Sequence, residues 1–136
     1  MPARSKARKR ALDMLFECEV RGLPLNGTLD ERVLAADPPV NEYTVRLVRG
    51  VTEHLGRVDE LVATYAEGWS LERMPAVDRN ALRIGVFEIM YVDDVPDPVA
   101  VSEATNLVND LSTDDSPAFV NGLLGRLLDL KPTLHV

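Results

Sequence analysis

The sequence predicts an all-α fold, and three observations carry that prediction. Apolar residues recur at spacings of three and four along most of the chain, alternating runs rich in Val, Ile and Thr are nearly absent, and Gly or Pro punctuates the apolar stretches. With 136 residues, 46% apolar and 27% charged, the composition is that of a globular chain, expected to form a single compact domain over residues 1–136. No apolar run approaches the ~18 residues of a membrane span, and the N-terminus lacks the apolar stretch of a signal peptide, so a cytoplasmic protein is expected. The lone Cys18 allows no intramolecular disulfide and no Cys-x-x-Cys spacing, and reads as a small apolar helix residue.

The first helix is expected over residues 4–21, where Arg8, Ala11, Leu12, Leu15 and Cys18 share one face and Gly22 followed by Pro24 supplies the stop. A weaker helix over residues 28–36 ends at the Asp37-Pro38-Pro39 turn. Asn41 is the expected N-cap of the next segment, whose apolar period runs from Leu47 to Tyr65. Gly50 and Gly56 predict a bend or a break within it, and Gly68 its end. Residues 76–92 are apolar on almost every side, with polar positions mainly at Asp78, Arg79, Asn80, Arg83 and Glu88, which places this helix at the centre of the fold. Asp97-Pro98 and Ser116-Pro117 each read as an N-cap followed by proline at the first helical position. The first of these helices is expected to bury Ala100, Ala104, Leu107, Val108 and Leu111, the second Val120, Leu123, Leu124, Leu127 and Leu128. Phe119 stands on the flank of that last stripe.

The net charge of −7 conceals a polarity: Arg4, Lys6, Arg8, Lys9 and Arg10 place five of fifteen basic residues in the first ten positions. The other 126 residues carry ten basic and twenty-two acidic side chains, a balance of −12. Like charges four apart on a helix repel by ~0.2–0.5 kcal/mol per pair, and Arg4 with Arg8 and Lys6 with Arg10 are such pairs. A polyanion reverses that cost by counterion release, and arginine-rich helices of this kind can order on RNA. Residues 1–10 are therefore a basic arm suited to phosphate, continuing into the first helix, while the remainder repels it. Phe16, two turns beyond Lys9, is an aromatic that either packs in the core or serves base stacking.

Catalysis finds little to work with. The two histidines, His54 and His135, have no evident partner and read as surface residues. There is no Gly-rich phosphate loop, no His-x-x-x-His pair and no Gly-x-Ser-x-Gly elbow, so no enzyme, cofactor or catalytic residue is expected. The acidic groups Asp93, Asp94, Asp97 and Asp110, Asp114, Asp115 lack calcium-loop spacing and stand before helix starts, where acids offset the macrodipole; no metal is expected.

Four segments then act together: residues 7–16 (ARKRALDMLF), 75–89 (PAVDRNALRIGVFEI), 94–96 (DVP) and 116–125 (SPAFVNGLLG). In this order and separation, over nearly the full chain, they resemble the transcription antitermination factor NusB family. The resemblance implies about seven helices, no catalytic activity, and binding to the boxA sequence of ribosomal RNA leader transcripts. It also implies a protein partner, the ribosomal protein NusE, and entry into the antitermination complex of RNA polymerase, which then reads through terminators. Members occur as monomers and as homodimers.

Carried over by position, Arg4, Lys6 and Arg8 would grip RNA, with Lys9 and Arg10 as added charge. Phe16 corresponds to an aromatic of the family's RNA surface, Asp78 and Arg83 to polar groups on the central helix, and Asp115 and Phe119 to the start of the last helix. The helices that touch NusE do not follow from the sequence; the central helix and the turn at residues 69–74 are candidates. Where relatives carry an extra basic residue beside the Phe-Val-Asn-Gly motif, this chain has Pro117 and Ala118, which shifts weight toward the arm. Two other readings stand beside this one. A helical adaptor could use the arm on an acidic protein, and the same domain resembles the N-terminal part of certain ribosomal RNA cytosine methyltransferases, although no cofactor loop follows here.

Overall fold

The computed structural model describes residues 2–35 and 39–134; the Asp37-Pro38 turn and His135 lie outside them. Seven α-helices occur among the described residues, with two short 3-10 turns and no strand. The all-α expectation holds. The chain groups into two compact units, meeting in sequence at Glu53 and His54.

The first unit contains α1 (Ala3–Arg21), α2 (Gly27–Ala35) and α3 (Glu42–Glu53). Helix α1 packs on both others, burying Ala7, Ala11, Leu12, Met14, Leu15 and Cys18. It ends where Gly22 takes a left-handed φ of 69°, a conformation in which its N–H reaches back to the Glu19 carbonyl. The Cys18 thiol donates to Thr28 Oγ1 at 3.2 Å and accepts from the Thr28 N–H at 3.3 Å, fastening the start of α2 to the end of α1. Asn41 caps α3 as its sequence predicts, its Oδ1 accepting from the Tyr43 N–H at 2.7 Å. Thr44 donates its hydroxyl to the Ala7 carbonyl at 3.0 Å, tying α3 to the first turns of α1.

The second unit contains α4 (Leu55–Tyr65), α5 (Ala76–Tyr91), α6 (Asp97–Leu111) and α7 (Ser116–Leu130), with 3-10 turns at Leu71–Arg73 and Lys131–Thr133. Helix α5 packs against α4, α6 and α7 and is buried from Asn80 through Ile89, the central position its all-round apolar character requires. Gly85 permits this: a Cβ there would stand 2.9 Å from Leu124 Cδ1 and 3.2 Å from Ala104 Cβ.

Several local expectations are corrected. The break in the third segment falls at His54, not at either glycine; Gly50 is buried within α3 and Gly56 lies inside α4. His54 is not a plain surface residue, since its ring stacks on Tyr91 with centroids 3.9 Å apart and planes 16° from parallel. Helix α4 stops at Tyr65, three residues before Gly68, because Glu67 and Gly68 both turn to positive φ (49° and 93°). Helices α6 and α7 begin one residue earlier than the proline pattern suggested, with Pro96 and Asp115 at the N-caps. Asp97 is consequently free to bind Lys131 Nζ at 3.0 Å, and the Ser116 hydroxyl is used elsewhere. Leu111, in the last turn of α6, is 40% exposed, and Leu128 is only half-buried.

Candidate nucleic-acid interface

Helix α1 begins at Ala3, so all five cations of the arm sit on helical turns, and no acidic residue occupies the first turn. Cations at the positive end of a helix dipole are destabilised by it, and here they also repel one another. The helix sorts them by face. Lys6, Lys9 and Arg10 point to solvent, whereas Arg4 is half-buried and Arg8 only 3% exposed. The Arg4 guanidinium lies 4.3 Å above the Tyr43 ring and that of Arg8 lies 5.6 Å from it. Arg8 belongs to the inward stripe with Ala11, Leu12, Leu15 and Cys18, as its spacing indicated. In this structure the Arg8 side chain lies at the α1–α3 contact, against Tyr43.

The outward stripe of α1 continues from Lys6, Lys9 and Arg10 through Asp13 to Phe16, which is 39% exposed. Lys9 Nζ pairs with Asp13 at 3.0 Å in an exposed bridge that water screens readily. Arg32 of α2 joins these residues around a surface groove of about 450 Å³. At the far end of the helix, Arg21 donates to Glu17 at 2.9 Å and to Glu31 at 3.0 Å, and Arg32 donates to Glu17 at 3.1 Å. The hydrogen bond from Arg21, helped by Thr28 and by the charge of Arg32, holds the Glu17 carboxyl below the usual range against a smaller opposing effect of desolvation. Glu31 and Glu17 in turn push Arg21 upward. Acidic partners gather around the cations at this end, while Lys6, Lys9 and Arg10 stand exposed at the other.

In the second unit, Asp78 is 1% exposed and accepts hydroxyl hydrogen bonds from Ser112 at 2.6 Å and Ser116 at 2.8 Å. The Ser116 hydroxyl also accepts from the Thr113 N–H at 3.3 Å, so the α6–α7 corner is gathered onto α5. Arg83 is 8% exposed and clamps Asp59 through Nε at 2.8 Å and Nη2 at 3.0 Å, with Nη1 on Asn80 Oδ1 at 3.0 Å. Buried and hydrogen-bonded within the second unit, both groups tie helices together. Asp115 and Phe119 differ. Asp115 stands exposed at the N-cap of α7 without a side-chain capping bond, and Phe119 is partly exposed, its ring 5.0 Å from that of Trp69. Sequence spacing gave no sign of this pairing across fifty positions; the one available signal was a tryptophan in a Gly-Trp-Ser turn.

Among the described residues no helix is long and apolar enough to cross a membrane, and no group of three or more His, Cys, Asp or Glu side chains has the arrangement of a metal site.

A NusB family model matches residues 5–129. The transcription antitermination protein NusB of Nocardioides sp. is 60% identical over 134 residues, covering 98% of this chain and 99% of that protein. The structure of T. maritima NusB aligns with a TM-score of 0.83 at 34% identity, over 95% of this chain and 92% of the other. A crystal structure of antitermination factors NusB and NusE in complex with dsRNA aligns with a TM-score of 0.79 at 26% identity, over 93% and 96% of the two chains. On its fold, its motifs and a match that spans nearly all of its length, the chain belongs to the NusB family.

Proposed function

We propose that this chain is a transcription antitermination factor that binds boxA-type RNA together with NusE, acting by recognition and not by catalysis, in the cytoplasm where the transcript emerges. One observation carries the RNA reading: α1 presents Lys6, Lys9 and Arg10 on a single exposed stripe that runs on to an exposed Phe16. Phosphates along a single strand meet the cations, and an unstacked base meets the ring. Asp115 and Phe119 supply a second, polar and aromatic contact on α7, with Asp115 accepting from base amino groups. Arg4 contributes from its seat on Tyr43, and Arg8, Asp78 and Arg83 hold the helices that present these groups. Family membership supports NusE as the protein partner, since the solved complex pairs NusB with NusE and dsRNA. The strongly acidic remainder of the chain complements a basic ribosomal protein.

The test is fluorescence anisotropy of a short boxA-like RNA against a scrambled single strand and a duplex, with and without NusE. Tighter binding of the boxA strand when NusE is present is expected. Replacing Lys6, Lys9 and Arg10 together by alanine should weaken binding on the order of tenfold or more, because three phosphate contacts and their counterion release are lost. Unchanged affinity in that variant would defeat the RNA reading and favour the adaptor.

A further inference from the structure

The turn after α4 carries three features that the arm does not explain. Glu67 holds a left-handed φ of 49°, rare for a residue with a side chain, and Gly68 follows at 93°. Trp69, placed by this turn, is 49% exposed although it is the most costly side chain to leave in water and the chain's single tryptophan. Opposite it, Arg126 of α7 donates through Nη2 to the Tyr65 carbonyl at 2.6 Å, while its Nε is buried without a hydrogen-bond acceptor among the described residues. The nearest carboxylate, Glu67 Oε1, stands 3.6 Å away, an ion-pair distance and not a hydrogen bond. Trp69, Phe119, Glu67 and Arg126 border an open groove of about 370 Å³, room for one nucleoside, and Gly122 keeps its floor free of a side chain.

We propose that this groove is a base-binding subsite for a single unpaired guanine of bound RNA. The tilted Trp69–Phe119 pair, with planes 43° apart at 5.0 Å, leaves no slot between the rings; the base stacks on the exposed indole face with its edge toward α7. At that edge the groove offers one carboxylate and one guanidinium side by side. Guanine alone among the four bases carries two adjacent N–H donors, N1–H and the N2 amino group, which a carboxylate accepts as a pair. Its O6, next to them, accepts from the guanidinium. Adenine and cytosine bring an amino group without an adjacent ring N–H, and uracil a single N–H between two acceptors that Glu67 repels. Phosphate is also excluded by Glu67, so the site reads a base, not the backbone. The inference rests on the proposal that α7 faces RNA, and adds to it Trp69, Glu67, Arg126 and the identity of one base.

Because Trp69 is the only tryptophan, its emission reports on this groove alone. The full chain is titrated with a fluorescein-labelled oligouridine hexamer containing one guanosine, and with the all-uridine, adenosine- and cytidine-containing versions. Anisotropy and indole emission are recorded in parallel experiments. The guanosine strand is expected to quench Trp69 and to bind roughly tenfold tighter than the all-uridine strand, as one bidentate edge contact warrants. Glu67→Gln, on an exposed side chain, should abolish the guanosine preference, because an amide cannot accept from both N–H donors of the guanine edge. RNA binding by anisotropy without quenching overturns the subsite and leaves the RNA function standing. Equal quenching by all four strands, unaffected by Glu67→Gln, overturns the guanine assignment. Quenching by added NusE and by no RNA assigns the groove to a protein and overturns it too. Absence of any RNA binding defeats the function itself, and the inference with it.

Discussion

At the scale of single residues, burial separates what a polar side chain does from what its position in a motif suggests. Asp78, with two hydroxyl donors and almost no exposure, is a structural carboxylate. Asp78→Ala should cost about 1–3 kcal/mol by stranding the Ser112 and Ser116 hydroxyls, read as a shift in urea midpoint at unchanged m-value. RNA affinity measured below the unfolding transition should hold. Glu17 gives a pH test. Its carboxyl is held below its unfolded value chiefly by the Arg21 hydrogen bond, so its stabilisation is complete above the ordinary carboxylate pKa of about 4.3 and disappears as pH falls through the lower folded value. The stability difference between the native chain and Glu17→Gln should therefore be present at pH 7 and fade in that acidic window, a trend that urea titrations at several pH values would follow. Arg8 was legible as a core-facing position, from its spacing to Ala11, Leu12 and Leu15. Asp78 and Arg83 were not legible in this way, because their partners lie 34, 38 and 24 positions away.

At the scale of elements, the helices follow the apolar period closely and their ends follow local chemistry. Gly22 and Asn41 worked as written, one by a left-handed backbone and the other by an Oδ1 on an exposed N–H. The Asp-Pro and Ser-Pro helices start one residue earlier than the pattern suggests, and Asp97 and Ser116 bind partners on other elements. The break at His54 has no glycine or proline to mark it, and its ring stacks on Tyr91, thirty-seven positions on. At Gly85 the second unit packs too closely for a side chain. Gly85→Ala places a methyl 2.9 Å from Leu124 and 3.2 Å from Ala104, an overpacking that should cost about 1–3 kcal/mol despite the better helix propensity of alanine. Thermal unfolding of the variant would show the sign directly; a rise in melting temperature would mean the α5–α7 contact yields.

At the scale of the whole molecule, charge is the organising quantity: a basic arm on a chain otherwise at −12. With three solvent-facing cations, the logarithm of RNA affinity should fall with the logarithm of salt with a slope near ~−2 for a single strand, and flatten when they are removed. Isothermal measurements at several salt concentrations would give that slope, and a value several times steeper would mean that many more cations take part. The placement of Arg4 and Arg8 against Tyr43 has a kinetic side as well. Because the arm is already wound and fastened to α3 before any RNA arrives, binding does not have to create the helix. Far-ultraviolet circular dichroism should stay flat through a titration, and association should approach the rate of electrostatically guided encounter, with selectivity expressed in how long the RNA stays rather than in how fast it lands.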